Sequence, residues 1–126
     1  MIEQFMSYVR PLEQELEDID AMVSVPLSDN IAQLEDQVKR IASHYGRLTT
    51  ILADAESYLD LAQREYLRPK GTGTDLDRTT QQVADCALFR KFRNRVQGLT
   101  KTVEMLVSLG QSILKFNAAE RRMPAV

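Results

Sequence analysis

The 126-residue sequence has no tryptophan, one cysteine and one histidine, and aromatic residues make up only 6% of it. Each shortage excludes something. With Cys86 alone no internal disulfide can form, and nothing points to an oxidising compartment. With Cys86 and His44 as the single soft ligands, a zinc site of the usual Cys/His kind cannot be assembled within one chain, and histidine-dependent catalysis has one unsupported candidate. The scarcity of aromatic rings argues against a large aromatic-lined pocket. No apolar run approaches the ~18 to 20 residues needed to span a bilayer. The start Met1-Ile2-Glu3-Gln4 lacks the basic and apolar stretches of a secretory leader. The expectation is a cytoplasmic protein with no membrane partner, no cofactor and no metal.

What is present is ordinary in bulk and uneven in distribution. At 44% hydrophobic and 27% charged the composition is that of a globular protein, and the length allows one domain, residues 1–126. The net charge of -2 conceals a division. Residues 1–60 carry twelve acids and four bases, while 61–126 carry six acids and twelve bases. Such a split suggests an anionic partner for the second half, or contact between unlike halves of neighbouring copies.

One interruption divides the chain, Arg68-Pro69-Lys70-Gly71-Thr72-Gly73-Thr74, where proline and two glycines end a helix and make a turn over 68–74. Before it, Ile31, Leu34, Val38, Ile41, Tyr45, Leu48, Leu52, Ala55, Leu59, Ala62 and Tyr66 recur at alternating spacings of three and four. That is a coiled-coil seam, and it predicts one unbroken helix over about 29–67, capped by Ser28 and roughly 60 Å long. Gly46 lies inside it at a cost of about 1 kcal/mol against Ala, too little to break the pattern. After the turn, Phe89, Phe92, Val96, Leu99, Val103, Leu106 and Ile113 mark a second helix over about 75–116, with Gly110 in register, Thr74 or Asp75 as cap and 117–126 as a frayed tail. Phe5, Tyr8, Val9, Leu12, Leu16, Ile19 and Val23 predict a shorter helix over about 2–23, kinked or restarted at Pro11. The expected fold is all-α: a long antiparallel, coiled-coil-like hairpin with a shorter N-terminal helix. Past Lys101 the apolar residues spread round the second helix (Val103, Met105, Leu106, Val107, Leu109, Ile113, Leu114, Phe116), more than one partner helix covers. Homo-oligomerisation through Val103, Leu106, Leu109, Ile113 and Phe116 is therefore expected.

The strongest polar feature lies on that helix. Between Asp85 and Glu104 stand Arg90, Lys91, Arg93, Arg95 and Lys101 with no acid among them, and Arg68 and Lys70 add charge at the turn. Bases spaced along a helix can meet phosphates without sequence choice, in a salt-sensitive way. The plain alternatives are a solvated face, or cross-helix pairing with Asp54, Glu56, Asp60 and Glu65. The turn does not have the order of a phosphate-binding loop. The acidic run Glu13 to Asp18 reads as a solvated face or as a docking strip for a basic surface, and no carboxylate pair has a convergent partner for catalysis.

From Leu48 to Phe116 the chain resembles the phage recombination mediators of the UvsY type. The resemblance lies in Leu52-Ala53-Asp54-Ala55-Glu56-Ser57-Tyr58-Leu59, in the Gly71-Thr72-Gly73 turn and in a second helix rich in Leu, Val and Ile. These are features helical hairpins share generally, and the N-terminal region has no counterpart. The resemblance implies a helical, ring-forming protein that binds single-stranded DNA and helps load a RecA-like recombinase where a single-strand-binding protein would otherwise sit. The expected function is thus an oligomeric DNA-recombination accessory, not an enzyme. The alternative is a helical adaptor, assembly chaperone or structural component without nucleic-acid binding, or an inhibitor of one host enzyme.

Overall fold

The computed structural model describes residues 1–67 and 75–122, with side chains for all of these except 66, 67, 75–83 and 85. The expected turn, with Arg68 and Lys70, and the capping residues Thr74 and Asp75 lie outside the residues so described. The described chain is all-helical: α1 (Ile2–Val23), α2 (Ile31–Ser43), α3 (Tyr45–Leu67) and α4 (Asp75–Arg122). No helix is long and apolar enough to cross a membrane among these residues.

The first long helix is divided, not continuous. His44 falls between α2 and α3, and its amide reaches back three residues to Ile41 O at 3.2 Å, a tightened last turn. The next turn forms at once, with Leu48 N donating to His44 O at 2.9 Å. Gly46, two residues on, offers no side chain to hold the helix straight. The N-cap is Asn30, whose side chain accepts from Gln33 N at 3.0 Å. Ser28, the expected cap, instead accepts from Asn30 N and donates to Gln33 Oε1. At the other end α4 runs to Arg122, so most of the expected tail is helix. Ala118 and Ala119 favour that state, and Arg121 and Arg122 suit the negative pole of the helix dipole. Helix α1 passes through Pro11 as one element.

Packing follows a simple register. Tyr45 bonds Glu104, Val38 and Leu34 lie over Gly110, and Ile31 shares a cleft with Leu114 and Asn117. The α2–α3 arm therefore runs antiparallel to α4. Helix α1 runs antiparallel to α3, since Phe5 packs on Tyr58, Tyr8 bonds Asp54 and Glu15 pairs with Arg47. It reaches along α4 from Phe89 and Phe92, beside Phe5, to Asn94–Thr102, beside Asp20.

The molecule thus has a three-helix end (α1, α3 and the first half of α4) and a two-helix end (α2 and the second half of α4). One core fills the first, from Phe5, Leu16 and Ile19 on α1 through Ile51 and Ala55 on α3 to Phe89, Val96 and Val103 on α4. This third helix corrects the seam expected on α3. A two-helix seam would bury Tyr45 and Leu52. Because α1 widens the covered arc, Ile51 is fully buried, Leu52 sits at the rim, and Tyr45 turns outward. After Val23 the chain continues along α2, where the Gln37 side chain accepts from Ser28 N and donates to Pro26 O.

Candidate nucleic-acid interface and uncovered apolar stripe

Phe89, Phe92, Val96, Leu99 and Val103 form the inward line of α4 and are all buried. At about 100° per residue, the five bases are spread over the rest of the circumference, from Arg93 on one flank of that line to Arg95 on the other. Lys91 and Arg95 lie one turn apart on the side toward α1. Arg90 and Lys101 lie further round, and Arg93 borders α3. Lys91, Arg95 and Lys101 are exposed, and Arg90 and Arg93 half-buried. The Arg93 Nε is shielded from solvent and has no hydrogen-bond acceptor.

The charge chemistry of this helix differs from that of the arm it packs on. All four bases of residues 31–67 are ion-paired: Lys39 with Glu35 (3.3 Å), Arg40 with Asp36 (2.6 Å), Arg47 with Glu15 (3.0 Å) and Arg64 with Asp60 (3.0 Å). Among the described residues, none of Arg90, Lys91, Arg93, Arg95, Lys101, Lys115, Arg121 and Arg122 makes an ion pair. The cause is local sequence. Three of the four pairs on the arm join residues four apart, the spacing that brings side chains together on a helix. No base from Arg90 to Lys101 has an acid four residues away on either side. Glu104, three from Lys101, accepts the Tyr45 hydroxyl instead at 2.5 Å, a bond that raises the tyrosine pKa above its ordinary value.

The acids considered as cross-helix partners are engaged elsewhere or stand apart. Asp54 accepts from the Tyr8 hydroxyl at 2.8 Å, Asp60 holds Arg64, and Glu56 is exposed without an ion pair among the described residues. Burial and the Asp54 carboxylate both push the Tyr8 phenol far above its usual range. Glu15 bonds Arg47 from the α1 side and raises its pKa. The remaining acids of the α1 run, Glu13, Glu17 and Asp18, are exposed, as is Asp20, which lines a shallow cleft with Arg95.

On the second half of α4 the apolar residues sort into two sets. Val103 is fully buried in the chain's own core, so it is not available to a second copy; Leu106, Val107 and Leu114 are half-buried. Met105 (60% exposed), Leu109 (50%), Ile113 (39%) and Phe116 (67%) are open. They continue, beyond Thr102, the side of α4 that α1 covers lower down. Met105, missing from the expected oligomerisation set, lies on the same open stripe. Its i, i+4 relation to Leu109 was the available signal. Among the described residues no three His, Cys, Asp or Glu side chains cluster as metal ligands would. Cys86 is buried and His44 half-buried at the α2–α3 junction. No family model, curated protein or solved structure matches this chain.

Proposed function

We propose that this chain is a binding and assembly protein with α4 as its working surface. Its first half offers Arg90, Lys91, Arg93, Arg95 and Lys101 to the phosphates of single-stranded DNA, without reading the bases. Its second half brings copies together, so that weak strips act in concert and avidity replaces the high charge a monomer would need. The observation carrying this reading is the contrast in pairing: the arm neutralises its own bases, and among the described residues those of α4 are not neutralised. Bases without an acid partner are free to displace counterions from a polyanion. Within this reading the chain is an accessory of phage-type recombination, as the UvsY-type resemblance implies, with a RecA-like recombinase or a single-strand-binding protein as its protein partner. Arg68 and Lys70, which lie outside the described residues, are counted as supporting bases from the sequence alone.

The test is fluorescence anisotropy of a labelled single-stranded oligonucleotide across a salt series. Binding should weaken linearly in log affinity against log salt, with a slope of about -0.7 per phosphate contacted. Replacing Arg90, Lys91, Arg93 and Arg95 together by Gln should cost at least about tenfold in affinity and lower that slope by several contacts, while self-association persists. No binding by the wild-type chain at low salt removes the DNA reading. A second reading rests on the exposed acids of α1, which could meet the basic strip of a neighbour. If the four-Gln chain loses assembly, and the wild type binds no DNA, the protein is an adaptor.

A further inference from the structure

We propose that the uncovered stripe of α4 is closed by the same stripe of a second copy, the two α4 helices lying antiparallel about a two-fold axis beside Gly110 and Gln111. This deepens the self-association in the reading above and rests on that part of it, not on nucleic-acid binding.

Thr102, Met105, Leu109, Ser112, Phe116 and Ala119 follow one another at spacings of three, four, three, four and three. That is the period of a helix–helix seam. Here it lies on the solvent side of a helix whose inner seam is already filled. Read in both directions about Gly110–Gln111, the line complements itself. Leu109 of one copy faces Ser112 of the other, Met105 faces Phe116, and Thr102 faces Ala119. Bulk meets a small residue at the centre, a thioether meets an aromatic ring further out, and small residues meet at the ends. The two-fold repeats every contact, as an isologous interface requires.

Charge selects the direction. One residue beyond the apolar pairs, Lys101 of each copy comes opposite Glu120 of the other. Both are exposed, and neither forms an ion pair within its own chain among the described residues. A parallel pairing in register would set Lys101 against Lys101 and Glu120 against Glu120. The antiparallel one gives two attractive contacts flanking the apolar centre. It also keeps the three-helix ends apart, with Lys91 and Arg95 of both copies outside the contact; Lys101 then serves the dimer, and the phosphate strip of the reading above is left to Arg90, Lys91, Arg93 and Arg95.

The experiment is sedimentation equilibrium of the full chain without DNA, over a wide concentration range. The wild type should show a monomer–dimer equilibrium, and Leu109→Glu should abolish it with unchanged helical content. Lys101→Glu and Glu120→Lys should each weaken the dimer by about fivefold, two rim ion pairs being lost per dimer. The double variant K101E/E120K should restore it. Three outcomes overturn the pairing. A wild type that stays monomeric removes it together with the self-association above. An assembly insensitive to Leu109→Glu, or a double variant weaker than either single one, removes the antiparallel pairing alone and leaves self-association by another surface.

Discussion

At one end of the molecule α4 packs against two helices, and at the other against one. At the three-helix end Phe5 sits among Tyr58, Phe89 and Phe92, with ring centroids 5.3, 4.4 and 5.6 Å away. The two-helix end has no aromatic centre. There Val38 lies over Gly110, and the absent side chain lets α2 and α4 approach. One end is held by bulk that fills space and the other by a residue that vacates it. Cohesion and bareness thus divide along a single helix.

This difference can be broken most sharply at Phe5. Phe5→Ala should destabilise the chain by roughly 3–5 kcal/mol, the usual cost of emptying a buried aromatic site. The check is the midpoint of urea unfolding followed by circular dichroism. A loss below 1 kcal/mol would show that α1 contributes little to the core.

The glycines give a smaller contrast, and one of opposite sign. At Gly110 an added methyl would overlap Val38 Cγ2, a branched side chain with little room to move. The overlap costs about 1–3 kcal/mol against a helix-propensity gain near 1. Gly110→Ala should therefore destabilise by about 1 kcal/mol, and by less when combined with Val38→Ala. A Cβ at Gly98 meets nothing within 4 Å, so Gly98→Ala should stabilise by about 0.5–1 kcal/mol. Thermal midpoints of the two variants, measured together, should move in opposite directions.

The smallest effect is alkaline. Tyr8 is held neutral by burial and by Asp54, so its folded pKa lies above the unfolded one. In the unfolded chain it ionises near the ordinary tyrosine value of about 10. Above that pH the unfolded state binds fewer protons than the folded one, and stability falls as pH rises. The contribution is fully present below about pH 10. Urea midpoints at pH 9 and 11 should differ less in Tyr8→Phe than in the wild type.

Much of this architecture was legible in the order of residues. The spacing of Phe5, Val9, Leu12, Leu16 and Ile19 marked the inner face of α1, and that of Phe89 to Val103 the inner face of α4. Periodicity alone does not say how many helices meet, however. It left Ile51 out of the seam and put Tyr45 in, because only the position of α1 decides between neighbouring residues on α3. The break at His44 was masked by an apolar pattern that carries on across it, with Gly46 as the one hint. Asn30 outcompeted Ser28 as cap through the path of the preceding loop, which pattern cannot give. The basic strip was visible as a run without acids. That its charges are unpaired needed the placement of Tyr8, Arg64 and Tyr45, which engage Asp54, Asp60 and Glu104. Val103, expected on the self-association face, is buried in the chain's own core, while Met105, two residues on, is exposed, because residues two apart on a helix point to different sides.

The acids of α1 and the bases of α4 share the three-helix end, and this gives the rod a front and a back. Glu13, Glu17, Asp18 and Asp20 are exposed on one element, and Lys91, Arg95 and Lys101 on its neighbour. Fields of unlike sign so close together largely cancel at a distance, and screening leaves either one only about 10 Å of reach at 0.1 M salt. A polyelectrolyte arriving from far off is therefore barely attracted, and at short range only one flank admits it. Such a surface trades speed of capture for one-sidedness. On the proposed reading, it would limit each copy to a single strand and keep that strand from winding round behind.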